Sequence, residues 1–244
     1  MPLDYVQKIL EERERVLNKP SDGTIIWRYY SVEKFLHLVT SKELYFSSAD
    51  SFEDPFEGDY GTKAKHMIRE IYGEEQYIKD LNTYEFLKKH TYISCWYESE
   101  HESDAMWKIY GNGIAVKSRF GHISQLLPWS EDELKHAGRV NYIDYDNDNL
   151  SVNNSYLPYF YKRKAFSHER EVRFLIQNYN LSWDNYPEPS LGKNIKFDTN
   201  SSIEEIVFSP IMPEFVKSSL ETIIKKLELT VPIRHSSLLT KPIW

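Results

Sequence analysis

The sequence predicts an α+β fold in a single domain, on three observations. Strand-like runs rich in β-branched and aromatic residues interleave with helical patterns along all 244 residues. No repeat, low-complexity linker or break in composition divides the chain, which is short enough for one large core. The chain is 41% hydrophobic and 27% charged, too apolar for disorder and typical of a globular protein.

The elements follow in order. Val6, Ile9, Leu10, Val16 and Leu17 recur at helical spacing, predicting an amphipathic helix over residues 4–17 that Asn18-Lys-Pro-Ser-Asp-Gly23 terminates. The N-terminal segment 1–20 is thus set apart from a domain over 21–244. Ile25-Ile-Trp-Arg-Tyr-Tyr30 reads as a strand, Ser31 as the cap of a short helix bearing Phe35, Leu36 and Val39, and Leu44-Tyr-Phe-Ser-Ser48 as a second strand. Residues 61–90 read as helix broken near Gly73, and Tyr92-Ile-Ser-Cys-Trp96 as a buried strand. A short helix over 103–110, capped by Ser103 or Asp104, turns at Gly111-Asn-Gly113 into the strand Ile114-Ala-Val-Lys117. A brief helix is expected over 131–135, a strand over 140–145 and a polar loop over 146–155. A helical stretch ending in Tyr161-Lys-Arg-Lys164 leads into the strand 169–176, and a loop covers 183–189. The tail reads strand (203–208), helix (214–227), strand (231–235).

Composition and missing motifs exclude several classes. A net charge of −7 argues against a surface given over to nucleic acid or to an anionic membrane, so any such contact is local. The N-terminus lacks the pattern of a signal peptide and no apolar run has membrane-spanning length, which together with the lone Cys95 predicts a cytoplasmic protein with no membrane partner. Neither G-x-x-x-x-G-K-[ST] nor G-x-G-x-x-G occurs, so a nucleotide would be held without these phosphate loops. The eight histidines are scattered, no metal is expected, and Cys95 sits in an apolar run as an inert thiol.

Three polar features stand out against this background. Ser48-Ala-Asp-Ser-Phe-Glu-Asp-Pro-Phe-Glu-Gly58 carries four carboxylates around Asp54-Pro55, a turn signal, with Phe52 and Phe56 as anchors. It reads as a rigid corner from which Asp54 and Glu57 reach Arg28. In Glu169-Arg-Glu-Val-Arg-Phe-Leu-Ile176, alternation puts Val172, Phe174 and Ile176 on one face and Glu169, Glu171 and Arg173 on the other. Arg28 interrupts an otherwise apolar and aromatic strand, a placement that calls either for a structural ion pair with a glutamate such as Glu171 or for a phosphate. Lys162, Arg163 and Lys164 make either a solvated basic turn or a local holder of diphosphate or oligonucleotide backbone.

Leu44-Tyr-Phe-Ser-Ser with Ser51-Phe-Glu-Asp-Pro-Phe-Glu57, Ser94-Cys-Trp with Asp104-Ala-Met-Trp-Lys-Ile-Tyr110, and Lys164 with Glu169-x-Glu-Val-Arg173 resemble, in that order, the bacterial domain-of-unknown-function family 2971. The pattern departs at Glu53, where that family commonly has asparagine, and at Phe166, near which it has tryptophan. The order Arg28, Ser47-Ser48, Glu169-x-Glu171 is also similar to the arginine, serine, E-x-E arrangement of ADP-ribosyltransferases. That resemblance implies a split, mostly antiparallel mixed sheet flanked by helices, with NAD as substrate and the nicotinamide–ribose bond as the one cleaved. It implies Glu171, Glu169 and Arg28 as catalytic residues: Arg28 on the NAD phosphates or ribose, Glu171 on the nicotinamide ribose, Glu169 on the acceptor. Around them would stand Tyr29, Ser47, Ser48, Asp54, Glu57, Trp107, Lys164 and Arg173 as ligand-binding residues, with Trp27 a further ring available for stacking. The acceptor would be protein, nucleic acid or water. The implied role is a toxin or antiphage effector with an antitoxin or operon partner. The alternative is a non-enzymatic nucleotide- or nucleic-acid-binding module.

Overall fold

The computed structural model describes residues 17–127, 133–150, 154–178 and 187–242. The helix expected over 4–17 lies outside them except for Leu17, as does most of the loop at 183–189. In chain order the elements are β1 (Ile25–Tyr30), α1 (Val32–Ser41), β2 (Glu43–Ser48), α2 (Thr62–Lys89), β3 (Thr91–Glu98), α3 (Asp104–Tyr110), β4 (Ile114–Arg119) and α4 (Phe120–Ser124). There follow β5 (Glu133–Arg139), β6 (Asn141–Ile143), β7 (Tyr161–Arg163), β8 (Glu171–Asn178), β9 (Gly192–Lys196), α5 (Thr199–Ser202), β10 (Glu205–Phe208), α6 (Glu214–Lys226) and β11 (Ile233–His235). This is a mixed α and β fold in which antiparallel pairing dominates.

The chain divides into two compact units, one formed by the described residues of 17–20, 46–95 and 133–193, the other by those of 21–45, 96–127 and 194–242. In the first, β5 and β8 pair antiparallel from Glu133↔Asn178 to Arg139↔Val172, and β2 pairs with β3 at Ser47↔Ile93 and Ser48↔Tyr92. Strand β8 also pairs with β3, so it has a neighbour on each side. Every residue of β8 after Glu171 is buried, which is why it reads as a continuous run instead of an alternating one. Its core gathers Leu17, Ala49, Ile93, Tyr156, Leu157, Tyr159, Phe160 and Leu175. Gly138 faces Leu17 so closely that a Cβ there would lie 2.2 Å from the Leu17 carbonyl oxygen.

In the second unit β4 lies antiparallel between β1 and β10, and β11 runs parallel to β10. Trp27, Tyr29, Trp107, Ala115 and Val207 form one of its cores. Helix α1 buries Phe35, Leu38 and Val39 and ends where Lys42 turns left-handed at φ 54°. Helix α3 is capped by Ser103, whose hydroxyl accepts the Met106 N–H at 3.4 Å.

Three expectations are corrected. Residues 133–135, expected as helix, belong to β5, because seven residues pair with β8 despite the polar sequence Glu-Leu-Lys-His-Ala-Gly-Arg. Residues 161–163, expected to end a helix, form β7, which pairs parallel with β6. Glu169 is not on the strand: 164–169 form a 3-10 turn and Arg170 breaks the run at φ 40° before β8 begins at Glu171.

Candidate functional site

The acidic stretch 48–58 builds one wall of a charged cluster in the first unit. After β2, the hydroxyl of Ser51 donates to the Ser48 carbonyl at 2.7 Å, closing a single 3-10 turn. Asp54 then accepts the Phe56 N–H at 3.1 Å, and its carbonyl accepts the Glu57 N–H at 3.0 Å, which is the turn that Asp54-Pro55 predicts. Gly58 follows at φ 76°, pressed against Tyr159 so that a Cβ would meet its Cε1 at 2.7 Å. This corner aims both carboxylates at partners more than a hundred residues away.

Asp54 accepts from Arg163 Nη2 at 2.9 Å. Glu57 takes both terminal nitrogens of Arg173, at 2.6 and 3.0 Å, a bidentate fork. Arg173 Nη1 also donates to the Tyr159 carbonyl at 2.6 Å, and its Nε donates to Glu171 Oε2 at 2.6 Å. The other Glu171 oxygen accepts from Lys162 Nζ at 2.7 Å, and the same ammonium binds Glu169. The Tyr142 hydroxyl accepts the Glu171 backbone N–H at 2.8 Å. Aromatic rings seal the cations: Phe52 lies 5.7 Å from the Arg173 guanidinium and Phe166 lies 4.8 Å from the Lys162 ammonium. The side chains step outward from Arg173 at 0% exposure and Glu57 at 1%, through Lys162 and Glu171 at 11%, to Glu169 at 21%.

The expectation that Asp54 and Glu57 serve Arg28 is therefore corrected, since their oxygens go to Arg163 and Arg173. The Glu171 oxygens likewise go to Arg173 and Lys162, where a pairing with Arg28 was one reading of the sequence. Lys162 spends its charge inside the protein, on Glu169 and Glu171, while Arg163, at 41% exposure, pairs with Asp54.

Electrostatics differentiate the carboxyls. Burial opposes the charge of Glu171, yet Arg173, a hydrogen bond with Glu169, and Lys162 outweigh it and hold the carboxyl well below the ordinary range. Glu169 moves the other way: burial and its hydrogen bond to Glu171 raise it, only partly offset by Lys162. Lys162 is itself held firmly as the ammonium, burial being outweighed by its two carboxylates. Glu57 also moves up, because burial outweighs its Arg173 partner, so of the three carboxyls around Lys162 and Arg173 only Glu171 is held down.

The remaining expected residues lie as follows. Ser48 is buried, its hydroxyl accepting the Asp50 N–H at 3.4 Å, and Ser47 pairs across to Ile93. Lys164 is exposed, 3.8 Å from Asp148. Arg28, Tyr29 and Trp107 belong to the second unit. Arg28 donates to the Tyr45 carbonyl at 3.1 Å and lies over the rings of Tyr30 and Trp96. Tyr29 and Trp107 are core side chains at 4% exposure, set edge to face 4.9 Å apart. The Tyr29 hydroxyl accepts the Ser103 N–H at 2.8 Å and the Trp107 indole donates to Glu102 at 2.8 Å. Sequence reasoning missed Lys162 as the bridge and Tyr142 as its neighbour; the basic run 162–164 marked Lys162 as a cation but not its partners.

No family model matches the chain, and no curated protein matches it. A solved structure of Thermus sp. 2.9 DarT in complex with ADP-ribosylated ssDNA is similar over 89% of this chain and 96% of that one, with 11% sequence identity and a TM-score of 0.38. A likeness at that level carries no argument about the site, which rests on its own residues.

Proposed function

We propose that the protein is an NAD-consuming enzyme of the ADP-ribosyltransferase kind, in which Glu171 and Glu169 serve the cleavage of the nicotinamide–ribose bond. The observation that supports this reading is the carboxyl pair itself: two glutamates bound by one ammonium, one driven toward the anion and the other toward the acid. That division suits this bond. Nicotinamide leaves a pyridinium as a neutral molecule, taking the bonding electron pair, so no acid is needed for its departure. The ribose left behind is an oxocarbenium ion, which an ionised carboxylate stabilises. Water or an acceptor group then adds to the ribose carbon and gives up a proton, for which the ionised form of Glu169, the more basic carboxylate of the pair, is the better acceptor. The acceptor is protein, nucleic acid or water, and the proposal extends to a toxin or antiphage effector role.

The test is nicotinamide release from NAD by the purified protein. Glu171→Gln, nearly isosteric and uncharged, is expected to cut the rate by at least about 10²–10³-fold, the scale of losing one preorganised electrostatic group. Unchanged turnover in that variant would sink the assignment.

A second reading, non-catalytic binding of a nucleotide or nucleic acid, is favoured by the exposure of Lys164, His168 and Arg170 along one turn. It expects salt-sensitive binding of an anionic ligand, weakened by Lys164→Ala, with no nicotinamide released.

A further inference from the structure

We propose that Lys162 is a positioning residue that divides the charge between Glu171 and Glu169, a role that deepens the NAD-cleaving reading and rests on it. Lys162 sits on β7, while its two carboxylates come from either side of the Arg170 break, Glu169 ending the 3-10 turn and Glu171 opening β8. Backbone geometry alone would let these glutamates part, because Arg170 at φ 40° redirects the chain between them. The ammonium holds them on one nitrogen atom, 2.7 Å from Glu171 and in contact with Glu169.

Lys162 suits this task for three physical reasons. Its side chain is only 11% exposed, so its charge acts with little screening. The Phe166 ring 4.8 Å from Nζ closes another side of the ammonium. The two carboxylates it touches have unequal support, which lets one cation produce two different protonation states. Glu171 has Arg173 behind it as a second cation, and Arg173 is fixed in turn by Glu57 and the Tyr159 carbonyl. Glu169 has Lys162 alone among the described cations. The shared ammonium therefore completes the ionised state of Glu171 and leaves Glu169 as the carboxyl that exchanges a proton. The other titratable groups facing the cluster are Glu57, whose carboxyl burial raises despite Arg173, and Tyr142, Tyr145, Tyr159 and Cys95, which burial pushes up and which stay neutral near pH 7; the Asp54–Arg163 pair balances itself.

The experiment follows the side-chain carboxyls of ¹³C-labelled glutamate by NMR through a pH titration, in the wild type and in Lys162→Gln, alongside the pH profile of nicotinamide release. In the wild type Glu171 is expected to titrate below the usual carboxylate range and Glu169 above it, assigned by Glu→Gln at each position. In Lys162→Gln both are expected to rise, by about one pH unit or more for loss of an adjacent opposite charge. The acid limb of kcat should move with them, and Lys162→Arg should restore both. Unmoved titrations in a folded Lys162→Gln would overturn the role. If that variant does not fold, the wild-type titration decides: separated values support the division and coincident ones in the ordinary range overturn it. A wild type that releases no nicotinamide defeats the NAD reading, while the titrations still decide the role of Lys162.

Discussion

In the first unit Arg173 lies between Glu57 and Glu171; in the second, Arg234 lies between Glu102 and Glu205. Each has one guanidinium facing two carboxylates, but the surplus negative charge is met in different ways. Arg234 is 36% exposed and Glu205 24%, so water screens that side. Glu102, the better buried carboxylate, receives a neutral donor from Trp107. Burial works against its charge, but hydrogen bonds from Ser236, Arg234 and Trp107 prevail and hold it below the usual value. Arg173 is dry, and the free oxygen of Glu171 is met by a second cation, Lys162, which brings a third carboxylate with it. A neutral donor ends a network; a charged donor extends it until it reaches water. In this protein the extension ends at Glu169, whose pKa is raised, as is that of Glu57 at the buried end of the network.

The contrast can be broken most sharply at the two arginines. Arg173→Met strands Glu57 and Glu171 without their shared cation and is expected to cost about 3–5 kcal/mol in urea unfolding, the scale for breaking a buried pair. Arg234→Met, at the wet site, should cost no more than about 1 kcal/mol; similar losses at both would erase the distinction. An effect between these two tests the neutral donor. Trp107→Phe keeps most of the ring packing but takes the indole N–H from Glu102, so about 1–3 kcal/mol should be lost and the Glu102 titration should move up. A variant as stable as the wild type, with Glu102 unmoved, would show that Arg234 and Ser236 suffice.

The smallest effect lies in the pH dependence. Because the folded pKa of Glu169 is raised, the native state binds its proton more tightly than the unfolded chain, and stability falls as pH climbs from about 4.3 through the raised value. Glu171 has the opposite sign: its contribution is present above about 4.3 and is lost as pH falls through its depressed folded value. Glu57 is raised as well and has the same sign, so Glu169→Gln should reduce the neutral-side slope without abolishing it and leave acid unfolding in place. Unfolding free energies between pH 4 and 7 that keep the wild-type slope would assign that slope to another group.

Where local chemistry decides, the sequence was a sound guide. The helix over 62–89 is interrupted at Gly73, at φ 83°, the conformation glycine adopts most readily. Glu171 and Arg173, two residues apart on one strand, do meet across its face. Partners set by the fold were not legible. Strand β5 is polar and owes its state to β8. The acidic corner at 54–57 announced that it needed cations, but nothing local distinguished Arg28 from Arg163 or Arg173, which lie 109 and 116 positions away. Alternation through 169–176 suggested one continuous strand because Arg170 carries no sign of its left-handed backbone. The polar handle of Trp107 was readable as a need for an acceptor; that Glu102, five residues earlier, meets it inside a core was not.

Cys95 packs against the core beneath this cluster, and burial, reinforced by Glu171, pushes its thiol up to about 12. The side chain is only partly buried, so what slows its alkylation is the scarcity of thiolate near pH 7. It is also the chain's single cysteine. That sulfur is therefore a reporter of the charge above all: neutralising Glu171 removes one of the causes that raise the thiol and should quicken its alkylation.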